Sequence, residues 1–493
     1  MNTLLQERMD LFMDNQTSDT SQVSPKRARR KRSKYQVFKE AYLPLLIILL
    51  AAVLVIVFIA GSISRANTKK KLDKEASIAA SESLANLAAQ QEAEVQDLIA
   101  RAEELAAKLD YQGAIDLLDT FSGDSTGFPD LVAKRAAYVQ AMSELQTYSN
   151  PSEVPNLSFQ MLIADPARAF ADETYGNAYN RNYVTTDEFS KILQQLYDNG
   201  YMLVSLHDLV ATTQNADGDT VFTAGTLYLP AGKKPIVLTQ TAANYFTYMT
   251  DGNEDGLPDK DGDGFPYQLA LDDNGNFISR MIDGDGQEVT GNFDFVTILE
   301  AFIREHPDFS YQGARAVLAV TGYDGVFGYR TNPNVKDSQG SEYYAQQLSG
   351  AGQIVSALKD AGYELACYSY NNISYGDSTA DELASDLAQW NSEVAPVLGN
   401  VDILVYPYGD DIVNSMEDTY TGEKFQTLYQ SGFRYFVGMD HSVKAQAQIG
   451  SNYFRDTRRL VSGSRMAHSA DVFSDLFDAA SVLSSERGEV PSE

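Results

Sequence analysis

Apolar and polar positions follow three different periods along this chain, and each predicts a different element. Ala41 to Ile63 carries no charge and is dominated by Leu, Ile, Val and Ala. As a helix it is roughly 35 Å long, enough to cross a hydrocarbon core of about 30 Å. Its apolar core exceeds the roughly 7–15 residues of a signal-peptide h-region, and residues 1–40 precede it, so it reads as an uncleaved signal anchor. From Asn67 to Asp110 the chain is rich in Ala, Glu and Lys without Gly or Pro. Leu84, Leu87, Ala88, Val95, Leu98, Ile99, Ala102 and Leu105 fall at helical spacing there, which predicts one long helix. Asp110-Tyr111-Gln112-Gly113 reads as a turn, with further helices at Ala114 to Leu118 and Phe128 to Leu145. This hairpin resembles a degenerate tetratricopeptide unit. About three repeats are usually needed for a stable array, so one unit reads as a partner-binding groove or as a stalk that holds the main domain off the membrane.

After Ser149–Pro155, a linker with two prolines, the period changes again. Apolar runs at Leu157–Ala164, Tyr201–Leu206, Pro235–Thr241, Ala314–Thr321, Tyr363–Ser369, Val401–Tyr408 and Phe433–Val437 predict strands. Between them Thr185–Asn199, Phe293–His306, Ala345–Ala361, Ala380–Val397 and Lys424–Ser431 show helical patterning. Repeated strand–helix alternation means right-handed crossovers and a parallel sheet, and some seven units favour a closed or nearly closed α/β barrel. The division predicted is a basic tail over 1–40, a transmembrane helix over 41–63, a helical stalk over 64–148, a linker over 149–155, a barrel over 156–485 and a disordered tail over 486–493.

Charge and cysteine content narrow the class. The formal charge of −30 over 493 residues argues against a nucleic-acid-binding body. Lys26, Arg27, Arg29, Arg30, Lys31, Arg32 and Lys34 stand just before the apolar segment, and Arg65, Lys69, Lys70, Lys71 and Lys74 just after it. The denser cluster predicts a cytoplasmic N-terminus and an extracellular C-terminal part, with anionic lipid rather than nucleic acid as its contact. Cys367 is the single cysteine, so no intramolecular disulfide exists and core packing carries the stability.

The stretch Pro235-Ile236-Val237-Leu238-Thr239-Gln240-Thr241-Ala242 is a strand whose carboxyl end is where barrel enzymes mount catalytic groups. Around it lie several motifs: Phe159-Gln160-Met161-Leu162-Ile163-Ala164-Asp165; Gly200-Tyr201-Met202-Leu203-Val204-Ser205-Leu206; His306-Pro307-Asp308-Phe309-Ser310-Tyr311-Gln312-Gly313-Ala314; Thr321-Gly322-Tyr323-Asp324-Gly325; and Pro407-Tyr408-Gly409. In these, residues 156 to 466 resemble the polysaccharide deacetylases, distorted (β/α)7-8 barrels that remove acetyl groups from cell-wall glycans, in their Gram-positive membrane-anchored branch. The resemblance implies a divalent metal on one Asp and two His, with a neighbouring Asp as general base. The family's T-F-D-D falls on Thr239-Gln240-Thr241-Ala242, its H-x-x-x-H on Tyr368 and Asn372, and its opening-strand His on Gln160. Every acid and imidazole of the set is replaced. A methyl, a phenol and an amide do not make a zinc site, so no transition metal is expected.

Three readings stay open. In the first, the chain is a catalytically lapsed, membrane-anchored surface protein that binds cell-wall glycan or a protein partner through Tyr368, Tyr370, Tyr406, Tyr408, Thr241 and Asn372. Flat aromatic faces with neutral hydrogen-bonding groups suit sugar rings, although some of these tyrosines could instead fill the space of the missing ligands. In the second, a working carbohydrate deacetylase or hydrolase has rebuilt its site with carboxylates such as Asp410, Asp411 or Asp440. In the third, the stalk recruits a partner and the barrel is a spacer. No H-E-x-x-H, Walker loop or C-x-x-C adds another chemistry. Asp251, Asn253, Asp255, Asp259 and Asp263 resemble the ligand pattern of a calcium loop, with Gly262 where a closing Glu is usual; the competing reading is a Gly/Asp-rich surface insertion.

Overall fold

A computed structural model describes residues 43–216, 218–439 and 444–492. The N-terminal basic cluster, Asp440 and His441 lie outside the described residues. Residues 1–90 and 91–493 form separate units. In the first, helix α1 (Leu43–Ala107) begins in the apolar segment, where Leu45 to Ile59 expose their side chains, and it is long and apolar enough to cross a membrane.

In the second unit, the end of α1 packs with α2 (Tyr111–Leu118) and α3 (Pro129–Ser143) around Val95, Leu98, Ala102, Ile115, Leu118 and Leu131. Three helices form, with Tyr111, Gln112 and Gly113 of the expected turn opening the second one behind the Asp110 cap, and the tetratricopeptide likeness rests on nothing more. Nor is the group held apart by a linker. Gln146–Tyr148 pairs with Leu227–Leu229, Pro151 is buried, and Gln312 donates its backbone N–H to the Lys108 carbonyl at 2.7 Å. The two prolines shape a packed turn rather than a free joint.

Eight parallel strands build the body: β1 (Asn156–Phe159), β2 (Tyr201–Leu203), β3 (Lys234–Gln240), β4 (Val317–Val320), β5 (Glu364–Cys367), β6 (Ile403–Val405), β7 (Tyr435–Met439) and β8 (Phe454–Leu460). Seven of them close a ring in the order β1-β3-β4-β5-β6-β7-β8. The eighth, β2, runs along the amino end of β3, Tyr201 opposite Lys234, with a single further bridge from Leu203 to Ser310, while β4 takes the carboxyl end of the same edge, Val317 opposite Thr239. One long strand thus serves two short neighbours, and that is the distortion.

Alternation sorts the side chains. Leu157, Phe159, Ile236, Leu238, Leu318 and Leu404 face the helix layer; Val237, Val317, Ala319, Ala366, Ile403, Val405 and Val437 face the lumen. Helices α4 (Thr186–Asp198) and α5 (Phe295–Glu305) cover the outside with apolar residues at three- and four-residue spacing, each opened by a capping box. The Phe189 ring contacts Phe159 at 4.9 Å and Phe295 at 4.7 Å. Helices α6 (Ser341–Ala361), α7 (Ala380–Glu393) and α8 (Gly422–Gln430) continue the layer. At the amino end of the ring Leu206, Leu209 and Val210 join the inner core, and the Glu364 carboxylate accepts the Leu206 and His207 N–H groups.

Two elements depart from expectation. Strand β8, Phe454-Arg455-Asp456-Thr457-Arg458-Arg459-Leu460, closes the ring although its sequence is polar. A three-stranded meander (Gln268–Leu271, Phe277–Ile282, Glu288–Gly291) interrupts the chain after β3, its turns tied by Asp272 and Asp283, each accepting two backbone N–H groups. The tail expected to be disordered is docked: Arg487 donates to both carboxylate oxygens of Glu188, an ion pair with no exposed side-chain surface on either partner, and Asn180 donates to the Glu489 carbonyl. A charge-rich composition does not show that one of its charges is a buried anchor.

Candidate functional site at the barrel mouth

The carboxyl ends of β3, β4, β5 and β6 share a backbone peculiarity. Ala242, Tyr245, Asp324, Phe327, Ser369, Asn372 and Tyr408 all have positive φ, between 53° and 66°. For residues with a Cβ this conformation costs roughly 1–3 kcal/mol each, and such strain persists only where surrounding structure over-determines it. The clamps are visible. Asn244 donates to the carbonyls of Thr321, Tyr323 and Gly325 and accepts from Thr321 N–H at 3.0 Å, joining the loops after β3 and β4. Asp324 accepts the Thr247 hydroxyl at 2.9 Å, and Arg330 donates to the carbonyls of Tyr245 and Asp324, each at 3.0 Å. Behind β5, the Asp386 carboxylate accepts the N–H groups of Tyr370 and Asn371 at 2.7 and 2.8 Å.

Thr241 lies at the end of β3, 3 % exposed, its N–H and hydroxyl both directed to the Phe159 carbonyl. Ala242, next to it in sequence, and Gln160, next to Phe159, are half-buried. Tyr368, 8 % exposed, faces the lumen at the end of β5. Tyr408 stands over the mouth with 56 % of its surface free, and its hydroxyl accepts from the Asn372 amide at 3.2 Å. The other end of that amide, Asn372 Oδ1, is buried and has no partner.

Tyr370 and Tyr406 leave the expected set. The Tyr370 hydroxyl donates to Glu393 and its ring covers Gly322, where a Cβ would lie 2.0 Å from Tyr370 Cδ2. Tyr406 is fully buried on the outer face of β6, hydrogen-bonded through its hydroxyl to Tyr420 at 2.9 Å. Strand parity decides the second, since Val405 points inward and Tyr406 outward, while Tyr370 lies past the end of β5 and beyond the positive φ of Ser369.

Arg458, which sequence reasoning passed over, fills the lumen from β8. Its Nη1 donates to the carbonyls of Val437 and Gly438 at 3.1 Å each and its Nη2 to that of Tyr406 at 2.9 Å, while Nε has no partner. Burial opposes its charge, and the Tyr368 hydroxyl and the Asp410 carboxylate beside it favour the charge. Two residues earlier on the same strand face Asp456 accepts from the Asn156 amide at 2.9 Å, and Asn156 accepts from the Thr239 hydroxyl at 2.9 Å. Asp456 Oδ1 and Ser158 Oγ are buried without partners. Burial without a counter-charge pushes the Asp456 carboxyl up to about 7.

Among the described residues no three His, Cys, Asp or Glu side chains group as metal ligands. Ala242, Tyr368 and Asn372, which the resemblance sets at metal positions, offer a methyl, a phenol and an amide. The calcium-like loop is likewise not gathered into a cage. Asp251, Asn253, Asp255 and Asp259 accept N–H groups of their own loop, and Asp263 accepts the Tyr179 hydroxyl at 2.5 Å. Asx-type turns explain the Asp/Gly spacing without a cation. Asp411, the partner of Asp410 in the acid pair, is spent on Arg455 at 2.8 Å and on the Tyr420 hydroxyl at 2.6 Å. Gly123-Asp124-Ser125-Thr126-Gly127 spells a G-x-S-x-G motif, but it forms a short turn between α2 and α3 with none of the strand-to-helix geometry of a nucleophile elbow. His207 lies at the opposite end of the barrel, between Glu364 and Asp402.

No protein-family model and no curated protein matches the chain. Three chains among the solved structures do. One is a Streptococcus pyogenes deacetylase, PplD, in complex with acetate, 13 % identical, with a TM-score of 0.34, over 64 % of this chain and 94 % of that one.

Proposed function

We propose that this is a membrane-anchored surface protein whose barrel, built like a polysaccharide deacetylase, holds cell-wall glycan at its mouth without cleaving it. The observation that carries the reading is the pairing of Tyr408 with Asn372: an exposed aromatic face joined to an amide whose buried Oδ1 lacks a donor. An exposed aromatic face beside a neutral amide is the kind of surface on which a sugar ring docks. Thr241, Tyr368 and Gln160 add neutral hydrogen-bonding groups, and neither a hydroxyl nor an amide replaces a carboxylate base near neutral pH. The apolar start of α1 supports anchoring, and the basic cluster before it supports a cytoplasmic N-terminus.

Purified full-length protein in detergent is expected to retain acetylated chito-oligosaccharide or peptidoglycan and to release no acetate from either. Tyr408→Ala should lose the binding with its melting temperature unchanged. Metal-dependent acetate release would overturn the reading.

One observation favours a second reading, a rebuilt hydrolytic centre. The Asp410 carboxylate lies close enough to Arg458 and Tyr408 to perturb both, so it is a carboxylate at the mouth. That reading requires acetate or sugar release that disappears in Asp410→Asn.

A further inference from the structure

Just past the apolar segment, the exposed surface of α1 changes sign. Arg65, Lys69, Lys70, Lys71 and Lys74 follow Ile63, and two acids, Asp73 and Glu75, stand beside the last of them. All seven lie on continuous helix and are exposed. At about 100° per residue the five cations spread over about 240° of the helix circumference, a collar rather than a stripe. Lys71 meets Glu75 at 3.8 Å, but with 79 % and 59 % of the two side chains exposed that pair does little to neutralise it. Arg65, Lys69, Lys70 and Lys74 make no ion pair among the described residues. In a chain of formal charge −30 the collar is a local reversal.

Height along the axis says what the collar meets. With about 1.5 Å of rise per residue, Arg65 lies about 3 Å past Ile63, Lys69 to Lys71 about 9–12 Å and Lys74 about 16 Å. The headgroup layer adds about 5–8 Å to each side of a hydrocarbon core. Arg65 is therefore level with the lipid phosphates, and the lysines above it reach them by laying their alkyl stems back along the helix. Asp73 and Glu75, at about 15 and 18 Å, stand roughly one Debye length outside that layer. The membrane thus meets cations first, and acids only where its field has decayed. Charge is also what fixes the depth of this end. No Trp or Tyr occurs between Tyr42 and Tyr111, so the aromatic belt that commonly anchors a span is missing on this side.

We propose that this collar binds the phosphate groups of anionic phospholipid in the leaflet from which the helix emerges, and so sets the depth of the span. The inference rests on the anchoring part of the reading above and is independent of what the barrel holds. A soluble polyanion would meet the same charges without regard to height; the order of cations before acids matches a plane.

The test reconstitutes full-length protein in phosphatidylcholine nanodiscs that carry a trace of spin-labelled phosphatidylglycerol or of spin-labelled phosphatidylcholine. The immobilised spectral fraction reads which lipid is preferred around the helix. Parent and variants are measured with the native tail and with its seven cations from Lys26 to Lys34 replaced by Gln, so that the tail's own contribution is removed. Each cation held near an anionic surface is worth about fivefold. Lys69→Gln, Lys70→Gln, Lys71→Gln and Lys74→Gln together are therefore expected to lower the phosphatidylglycerol preference of the tail-neutral protein by about fivefold or more, while Lys→Arg at the same four positions keeps it. Folding is checked by the emission of Trp390, the single tryptophan, which is buried. A preference that survives the four Gln substitutions overturns the proposal, as does displacement of the labelled lipid by free inorganic phosphate, which would mark a site for a soluble anion. Protein that stays out of the discs refutes the anchoring and the collar together; protein that inserts with no lipid preference refutes the collar alone.

Discussion

Replacing Asp456 with asparagine isolates the cost of a carboxyl buried in the barrel lumen. Asp456 is 1 % exposed, accepts one hydrogen bond from Asn156, has a bare Oδ1, and carries a carboxyl pushed up to about 7 by burial. In the unfolded chain the same group ionises near 3.9. The folded state therefore binds the proton more tightly, so the group's favourable contribution is complete below about pH 4, declines as pH rises towards 7, and is gone above it. Three pH units at about 1.36 kcal/mol each set a ceiling of about 4 kcal/mol for that decline. Asparagine has the same shape, can still accept from Asn156 and does not titrate. The stability of Asp456→Asn relative to the parent should thus rise by about 3–4 kcal/mol between pH 4 and pH 8, a shift of several degrees in melting temperature. Trp390 emission during denaturant titration at several pH values reads it directly. A variant-to-parent difference that stays flat over this range would show that the carboxyl is solvated or paired, and the account of a dry lumen would be wrong.

Arg487→Ala should cost about 3–5 kcal/mol in the same assay, because it strands the Glu188 carboxylate in a site with no exposed surface; an effect under 1 kcal/mol would mean that the tail is not an anchor. His207, held between Glu364 and Asp402, is raised to about 10, so its stabilising charge is present below pH 6.5 and lost as pH rises through 10. His207→Gln should flatten that alkaline loss of stability, as followed by thermal melts between pH 6 and pH 11. Gly322→Ala would drive a Cβ into the Tyr370 ring and should destabilise by about 1–3 kcal/mol in the denaturant titration.

The misses have identifiable causes. Strand β8 was passed over because Arg455, Arg458 and Arg459 look exposed in sequence. Their guanidinium groups are held by Asp411, by the carbonyls of Val437, Gly438 and Tyr406, and by Asp475, none of them a neighbour in the chain. The Asp/Gly repeats were ambiguous because the oxygen spacing that suits a cation also suits tight turns.

What the chain alone determined is periodic. Uncharged residues long enough to span a bilayer, strand runs at Pro235–Thr241 and Ala314–Thr321 alternating with amphipathic helices, and neutral side chains at Thr241, Ala242, Tyr368 and Asn372 are all local facts, readable because side-chain period and identity need no partner. What only the tertiary structure decided is which face of each strand looks inward and what meets it there. Tyr368 enters the lumen and Tyr406 does not, Arg458 occupies the centre, and Arg487 crosses back to Glu188, because burial and hydrogen-bond satisfaction depend on groups far away in sequence.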